Sequence, residues 1–273
     1  MKKIVLTSMM TVLFTAGMTN CVKAEPAKNE PPAHFYEQNT MSTLWFQQAG
    51  EAKALYYQGY NIGKMRLDEL LNNKQYNQAL KPAIVLDLDE TVIDNSPYQA
   101  SLVLNGKGNP LDWSEWIERA EAKLLPGAID FLRYADSRNV EIFYISNRNE
   151  THKAATIKNL QKLGIPQADK AHVLLKQEKE HGKEARRQAV AKAHDILLLF
   201  GDNLGDFHGF DGVDAAGRRT AVDKHRNEFG KKLIVFPNPM YGDWEEALYQ
   251  FDRKKSWKEI NKLRKQHLQS ISK

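Results

Sequence analysis

One cysteine, Cys21, is all that the 273 residues contain. The mature fold therefore uses no intrachain disulfide, and it suits an oxidising compartment without depending on one. Long apolar runs are also missing. The longest, Ile4–Met18, is too short to be read as a membrane span. No internal repeat and no long low-complexity tract occurs, so repeat arrays and fibrous architectures have no basis here. Net positive charge is missing away from the two ends. The net charge is +5, but residues 1–24 carry +3 and residues 252–273 carry +6, which leaves −4 on residues 25–251. A mildly acidic body lacks the basic stripe that a nucleic-acid polymer needs, so no such partner is expected. The basic tail reads as the solvated face of a helix. With 42% hydrophobic and 27% charged residues, the composition is that of a globular protein.

The amino terminus reads as an export signal over residues 1–24: Lys2-Lys3, then the apolar stretch. Val22-Lys23-Ala24 resembles a small-residue cleavage site, which would release a soluble chain from near Glu25. Alternatively, Cys21 occupies the kind of position that accepts lipid in bacterial lipoproteins. Secretion and attachment to the cell envelope both stay open, and any membrane contact would run through that anchor. Residues 25–40 are expected to be a flexible leader, rich in Pro and charge at the start.

A single domain is expected over residues 41–273. Met41 to Leu71 has a helical pattern with Leu55, Ile62 and Leu70 among its apolar positions, and Gly50, Gly59 and Gly63 predict a break. Short apolar strands then alternate with helices. The strands are Ala83–Leu88, Val140–Ser146, His172–Leu175, Asp195–Gly201 and Leu233–Phe236. The helices are Pro126–Arg138, Glu150–Leu163 and Lys183–His194. Continuously apolar strands such as Ile196–Phe200 suggest burial on both faces. The reading is α/β: a doubly wound parallel sheet with a smaller helical cap subdomain from about 41–80, 95–125 and the C-terminal helix. Residues 92–125 are too long for a simple loop. They place Trp113, Trp116 and Ile117 on a short helix, as a lid over the first strand. Phe210–Arg218, with Asp211 and Asp214, reads as a solvated loop. The helices flanking the sheet offer surfaces for a homodimer.

Asp87-Leu88-Asp89-Glu90-Thr91 directly follows Ala83-Ile84-Val85-Leu86. With a strand's period of two, Asp87 and Asp89 point the same way, at the end of a strand where open α/β sheets bind ligands. Two buried carboxylates on one face repel, and their desolvation costs several kcal/mol unless a cation or a chemical task accompanies them. Ser146-Asn147-Arg148 and Gly201-Asp202-Asn203-Leu204-Gly205-Asp206 end two other strands. In a parallel sheet these ends converge on one crevice, within reach of a lysine, Lys183 or Lys176.

These motifs resemble those of the haloacid-dehalogenase (HAD) superfamily phosphohydrolases, and among them the class C acid phosphatases related to bacterial lipoprotein e. Asp94-Asn95-Ser96-Pro97-Tyr98 and Pro237–Glu245 add to the likeness, which runs from about Leu44 to Tyr249. The resemblance implies an exported acid phosphatase and 5′-nucleotidase acting on small phosphomonoesters. Asp87 would be the nucleophile and Asp89 the acid/base. Mg²⁺ would sit on Asp87, the Asp89 main-chain carbonyl and Asp202, with Asp206 just behind. Ser146 would bond a phosphoryl oxygen. The lysine would be Lys183, in Lys183-Glu184-Ala185-Arg186, with Lys176 as the alternative. Trp113 and Tyr241 would sandwich an aromatic leaving group, unless they only pack the core. Asn147 and Arg148 would contact phosphate or pin their loop. Competing readings are a phosphomutase, a dehalogenase, and a non-enzymatic surface lipoprotein that binds nucleotides or cations.

Overall fold

The computed structural model describes residues 33–106, 111–210 and 212–271. The expected signal peptide over 1–24, Cys21 and Asp211 lie outside them. Three helices, α1 (Ala33–Glu37), α2 (Thr40–Gln48) and α3 (Gly50–Asn72), lead into strand β1 (Lys81–Leu86). The insert holds β2 (Ile93–Asp94), α4 (Ser96–Asn105), α5 (Trp113–Arg119) and β3 (Lys123–Leu124). Then follow α6 (Ala128–Ser137), β4 (Glu141–Asn149), α7 (Lys153–Lys162), β5 (Val173–Lys176) and α8 (Glu184–Ala191). The chain continues through β6 (His194–Gly201), α9 (Ala215–His225), β7 (Leu233–Val235), α10 (Asp243–Glu246) and α11 (Trp257–Gln266).

Five strands pair in parallel in the order β5-β4-β1-β6-β7. The chain winds outward from β1 through β4 to β5, then crosses back to β6 and β7. The winding direction thus reverses beside β1, where an open sheet leaves a crevice beyond its strand ends. Side chains alternate across β1. Ile84 and Leu86 join a core with Tyr56, Tyr60 and Leu67 of α3, Phe131 and Leu132 of α6, and Leu160 of α7. Ala83 and Val85 face the other way, with Val190 of α8, Ala221 and Val222 of α9, and Phe207 and Phe210. Helices cover both faces, which explains why β1 and β6 are apolar at every interior position.

Several local expectations are corrected. The helix from Met41 does break, between α2 and α3 at Ala49, but α3 runs unbroken through Gly59 and Gly63. Both glycines are there for close approach. A Cβ at Gly59 would strike the Phe236 ring, and one at Gly63 would lie 2.6 Å from Phe200. The buried stripe of α3 is accordingly Ala52, Tyr56, Gly59, Tyr60, Gly63 and Leu67, while Leu55 is exposed. α3 is therefore packed into the main core.

Regular structure also reaches into the expected leader. Phe35 of α1 is buried with Tyr249 and Ile260, its ring edge-on to Trp257 at 4.6 Å and 4.1 Å from the Arg264 guanidinium. Among the described residues of the expected loop Phe210–Arg218, residues 212–214 are a largely exposed loop as expected, but Phe210 is not solvated and residues 215–218 already belong to α9. Phe210 is fully buried, and Asp214 caps α9 by accepting from the Gly217 N–H at 2.7 Å. Arg218, buried on α9, donates to Asn203 Oδ1 at 3.0 Å. Polar residues along α9 hid a helix whose burial runs through an arginine.

Candidate active site

Beyond β1 the ladder continues for one residue, with the Asp87 N–H donating to Phe200 O at 3.0 Å. This holds the Asp87 side chain at the strand end. Lys183, the residue capping α8, sends its ammonium between Asp87 and Asp206, 2.6 Å from Asp206 Oδ1. No side chain of the three is more than 7% exposed. Asp206 ends a 3₁₀ turn, Leu204–Asp206, where its other oxygen accepts from the Asn203 N–H at 2.9 Å. A Cβ at Gly201 would collide with the Asp206 carboxyl, so this strand end admits only glycine. Asp202 is half-buried beside them and accepts from Asn238 Nδ2 at 2.8 Å.

Asp87, Asp202 and Asp206 each place a carboxylate oxygen within 4.8 Å of the others. Burial pushes Asp87 up to about 7, with Lys183 opposing and Asp206 and Asp89 adding. Asp202 is raised by burial, then by Asp206 and Asp87. Burial pulls Lys183 down, but Asp206 and Asp87 outweigh it and leave the ammonium above its ordinary range. When all are ionised, three acids against one ammonium leave two negative charges unbalanced. A cage of hard oxygen donors with that excess fits a divalent cation.

Asp89 meets different partners. Arg148 grips it with Nε at 3.0 Å and Nη2 at 2.8 Å, Ser146 Oγ donates to it at 3.0 Å, and Asn95 Nδ2 does so at 2.8 Å. The Arg148 side chain is 1% exposed and also bonds Thr156 Oγ1 at 3.2 Å. Arg148 thus ties its strand end to Asp89 while also lining the cleft. Ser146 spends its hydroxyl hydrogen on Asp89. Asn147 Oδ1 accepts from Arg186 Nη2 at 3.2 Å, and Arg186 also bonds Ser146 O and Leu174 O.

Asp87, Asp89, Lys183, Asp202 and Asp206 share one cleft of about 220 Å³ with Trp113, Asn147, Arg148, Asn203 and Tyr241. Every expected site residue of the described chain lines it except Ser146, which lies buried beneath. Lys176 ends β5 in register with Asn149 and does not line the cleft, whereas Lys183 does. Trp113 stands edge-on to Tyr98 at 5.2 Å, and its ring centre is 5.7 Å from the Arg148 guanidinium.

Two residues in the motif had no assigned task. Glu90, fully buried at φ 57°, accepts from the Tyr241 hydroxyl and from the Asn95 N–H at 2.7 Å. Burial, then Asp89 and Asp202, raise its pKa well above the usual carboxylate range. Asn95 uses its whole amide. Nδ2 serves Asp89 and Glu90, and Oδ1 accepts from Trp116 Nε1 at 2.8 Å and Arg148 Nη2 at 3.3 Å. The only signal was their place in the acidic run and before Ser96-Pro97.

The sheet, the switch point and the acid-lined cleft define an α/β phosphohydrolase of the HAD type. The sequence pattern of the HAD superfamily, subfamily IIIB (acid phosphatase), matches residues 7–244. The structure of the class C acid phosphatase from Bacillus anthracis is similar, with a TM-score of 0.84 and 55% identity over 87% of this chain and 99% of that one. The same values hold for that enzyme's structure with tungstate bound. Acid phosphatase 1 of Solanum lycopersicum is 22% identical over 209 residues, 70% of this chain and 74% of that protein. The chain belongs to the subfamily IIIB acid phosphatases, within their class C, and is a hydrolase of phosphomonoesters. That sets aside the non-enzymatic reading.

Proposed function

We propose that the enzyme is exported and hydrolyses nucleoside 5′-monophosphates and related small phosphomonoesters with Mg²⁺, through an aspartyl-phosphate on Asp87. The observation that carries this reading is one cleft holding both the Asp87–Lys183–Asp206 cluster and the aromatic pair Trp113 and Tyr241. Asp87, Asp202, Asp206 and the Asp89 carbonyl would hold Mg²⁺, which when bound neutralises charge on the phosphoryl group. Asp87 attacks phosphorus, forming a carboxyl O–P bond as the P–O bond to the leaving group breaks. Asp89 gives its proton to the departing alkoxide. It then takes a proton from the water that displaces Asp87 and releases phosphate. Lys183 supports the charge that spreads over the phosphoryl oxygens in both steps.

Asp87 attacks in its ionised form, and a bound divalent cation would favour that form against the burial that raises its pKa. Trp113 and Tyr241 supply π-faces for a base, a contact that tolerates any nucleobase. Export rests on Lys2-Lys3 and the apolar run behind them. Phosphate release from 5′-AMP and from p-nitrophenyl phosphate should require Mg²⁺ and disappear in Asp87→Asn. Turnover retained by that variant at saturating Mg²⁺ would overturn the assignment of the nucleophile.

A further inference from the structure

We infer that His208, His225 and Glu228 form a second metal site, suited to a borderline transition ion such as Zn²⁺ and built from different chemistry than the carboxylate cluster. Each residue offers one donor atom, and the three donor atoms lie within 4.8 Å of one another. Two imidazole nitrogens and one carboxylate oxygen are the ligand set that holds Zn²⁺ with a fourth position left to water. Mg²⁺ favours all-oxygen surroundings, so the two sites select different ions.

The donors are held by backbone that does not depend on a metal. His225 ends α9, and the Glu228 N–H donates to His225 O at 2.8 Å. Glu228 O then accepts from the N–H groups of Lys231, Lys232 and Leu233 at 3.0, 2.9 and 3.1 Å, which closes the turn into β7. His208 follows the Asp206 turn, and its ring stands edge-on to His225 at 5.6 Å. The other neighbour of the His225 ring is buried Phe210, at 5.4 Å. The Glu228 carboxylate lies between the rings, 2.6 Å from His225 Nδ1 and 3.3 Å from His208 Nε2. Zinc at ~2.0–2.2 Å from each donor would hold them roughly 3.3–3.5 Å apart, so the His208–Glu228 spacing already suits it and the His225–Glu228 contact would have to open from 2.6 Å.

Exposure and charge set the strength. The side chains are 39%, 17% and 35% exposed for His208, His225 and Glu228, so water can complete the coordination. Lys232 faces Glu228 and works against a cation, while the Glu184 carboxylate faces His208 and favours one. These opposed charges make the ion exchangeable. Because His208 stands two residues after Asp206, a bound ion would fasten the Asp206 segment to α9.

Zn²⁺ titration of the whole protein, by calorimetry and by thermal melting, tests this against His208→Asn, a half-buried position and the most exposed of the three donors. The readout is the difference between the two proteins, so uptake by the carboxylate cluster cancels. Wild type should bind about one more equivalent of Zn²⁺ than the variant and gain about 2–4 °C more in melting midpoint. Co²⁺ should give visible absorption in wild type that Glu228→Gln weakens and His208→Asn removes. Both proteins should hydrolyse p-nitrophenyl phosphate equally. Equal Zn²⁺ stoichiometry and equal melting shifts in wild type and His208→Asn would overturn the site.

Discussion

Replacing Lys183 with methionine keeps an unbranched apolar stem of nearly the same reach and removes the ammonium with its charge and its hydrogen bonds. In the folded protein the ammonium lies between Asp87 and Asp206, 4% exposed, with Asp202 alongside. Breaking a buried ion pair by deleting one partner costs about 3–5 kcal/mol, because the remaining charges stay desolvated and repel. For a chain of this size that lowers the melting midpoint by roughly 6–20 °C. The same ammonium is a fixed cation held against Asp87 at the strand end, so kcat should fall by about 10²–10³-fold. Melting in metal-free buffer, repeated with millimolar Mg²⁺, separates the two effects. A divalent cation screens the three carboxylates and should restore part of the lost stability without restoring turnover. A variant that melts within about 2 °C of wild type in metal-free buffer would refute the reasoning. The lysine would then carry no buried pair at all.

Three further outcomes follow from the site. Asp87 binds its proton more tightly in the folded protein, up to about 7, than in the unfolded chain. The stability this gives is full below the unfolded carboxylate range and is lost as pH rises through about 7. Urea melts of metal-free protein should weaken across that window by up to about 1 kcal/mol per pH unit, and Asp87→Asn should flatten the slope. Trp113→Ala should raise KM for 5′-AMP by about 5–150-fold, the equivalent of one stacked base, and barely change KM for p-nitrophenyl phosphate. Equal effects on both substrates would count against stacking. Arg148→Lys cannot reproduce the fork on Asp89 and should cut kcat by about 10²-fold with Mg²⁺ affinity unchanged, as read from initial rates against metal concentration.

The sheet was legible because strands buried on both faces leave apolar runs, and their ends announce themselves with acids, Ser146 and Gly201. The cleft was legible for the same reason, since a parallel sheet gathers its carboxyl ends wherever they lie in sequence. Partnership was less visible. Nothing in Ser146-Asn147-Arg148 says that the arginine folds back on Asp89, because that bond joins residues 59 positions apart. Gly59 and Gly63 look like helix breakers when read for backbone freedom alone. They are contact points for Phe236 and Phe200, which only the packing of α3 on the sheet reveals. Phe210 and α9 were hidden by polar neighbours, and α1 by the prolines before it.

Asn95 joins the insert to the first acidic motif through a single side chain, with Trp116 on one end of its amide and Asp89 on the other. The position of the insert and the position of Asp89 are therefore inherited together. A change at Trp116 that breaks its bond to Asn95 Oδ1 also loosens the amide that holds Asp89, so such variants should lose rate on every substrate. Trp113 shares no hydrogen bond with that amide, which makes it the position where specificity can drift while the chemistry stays in place.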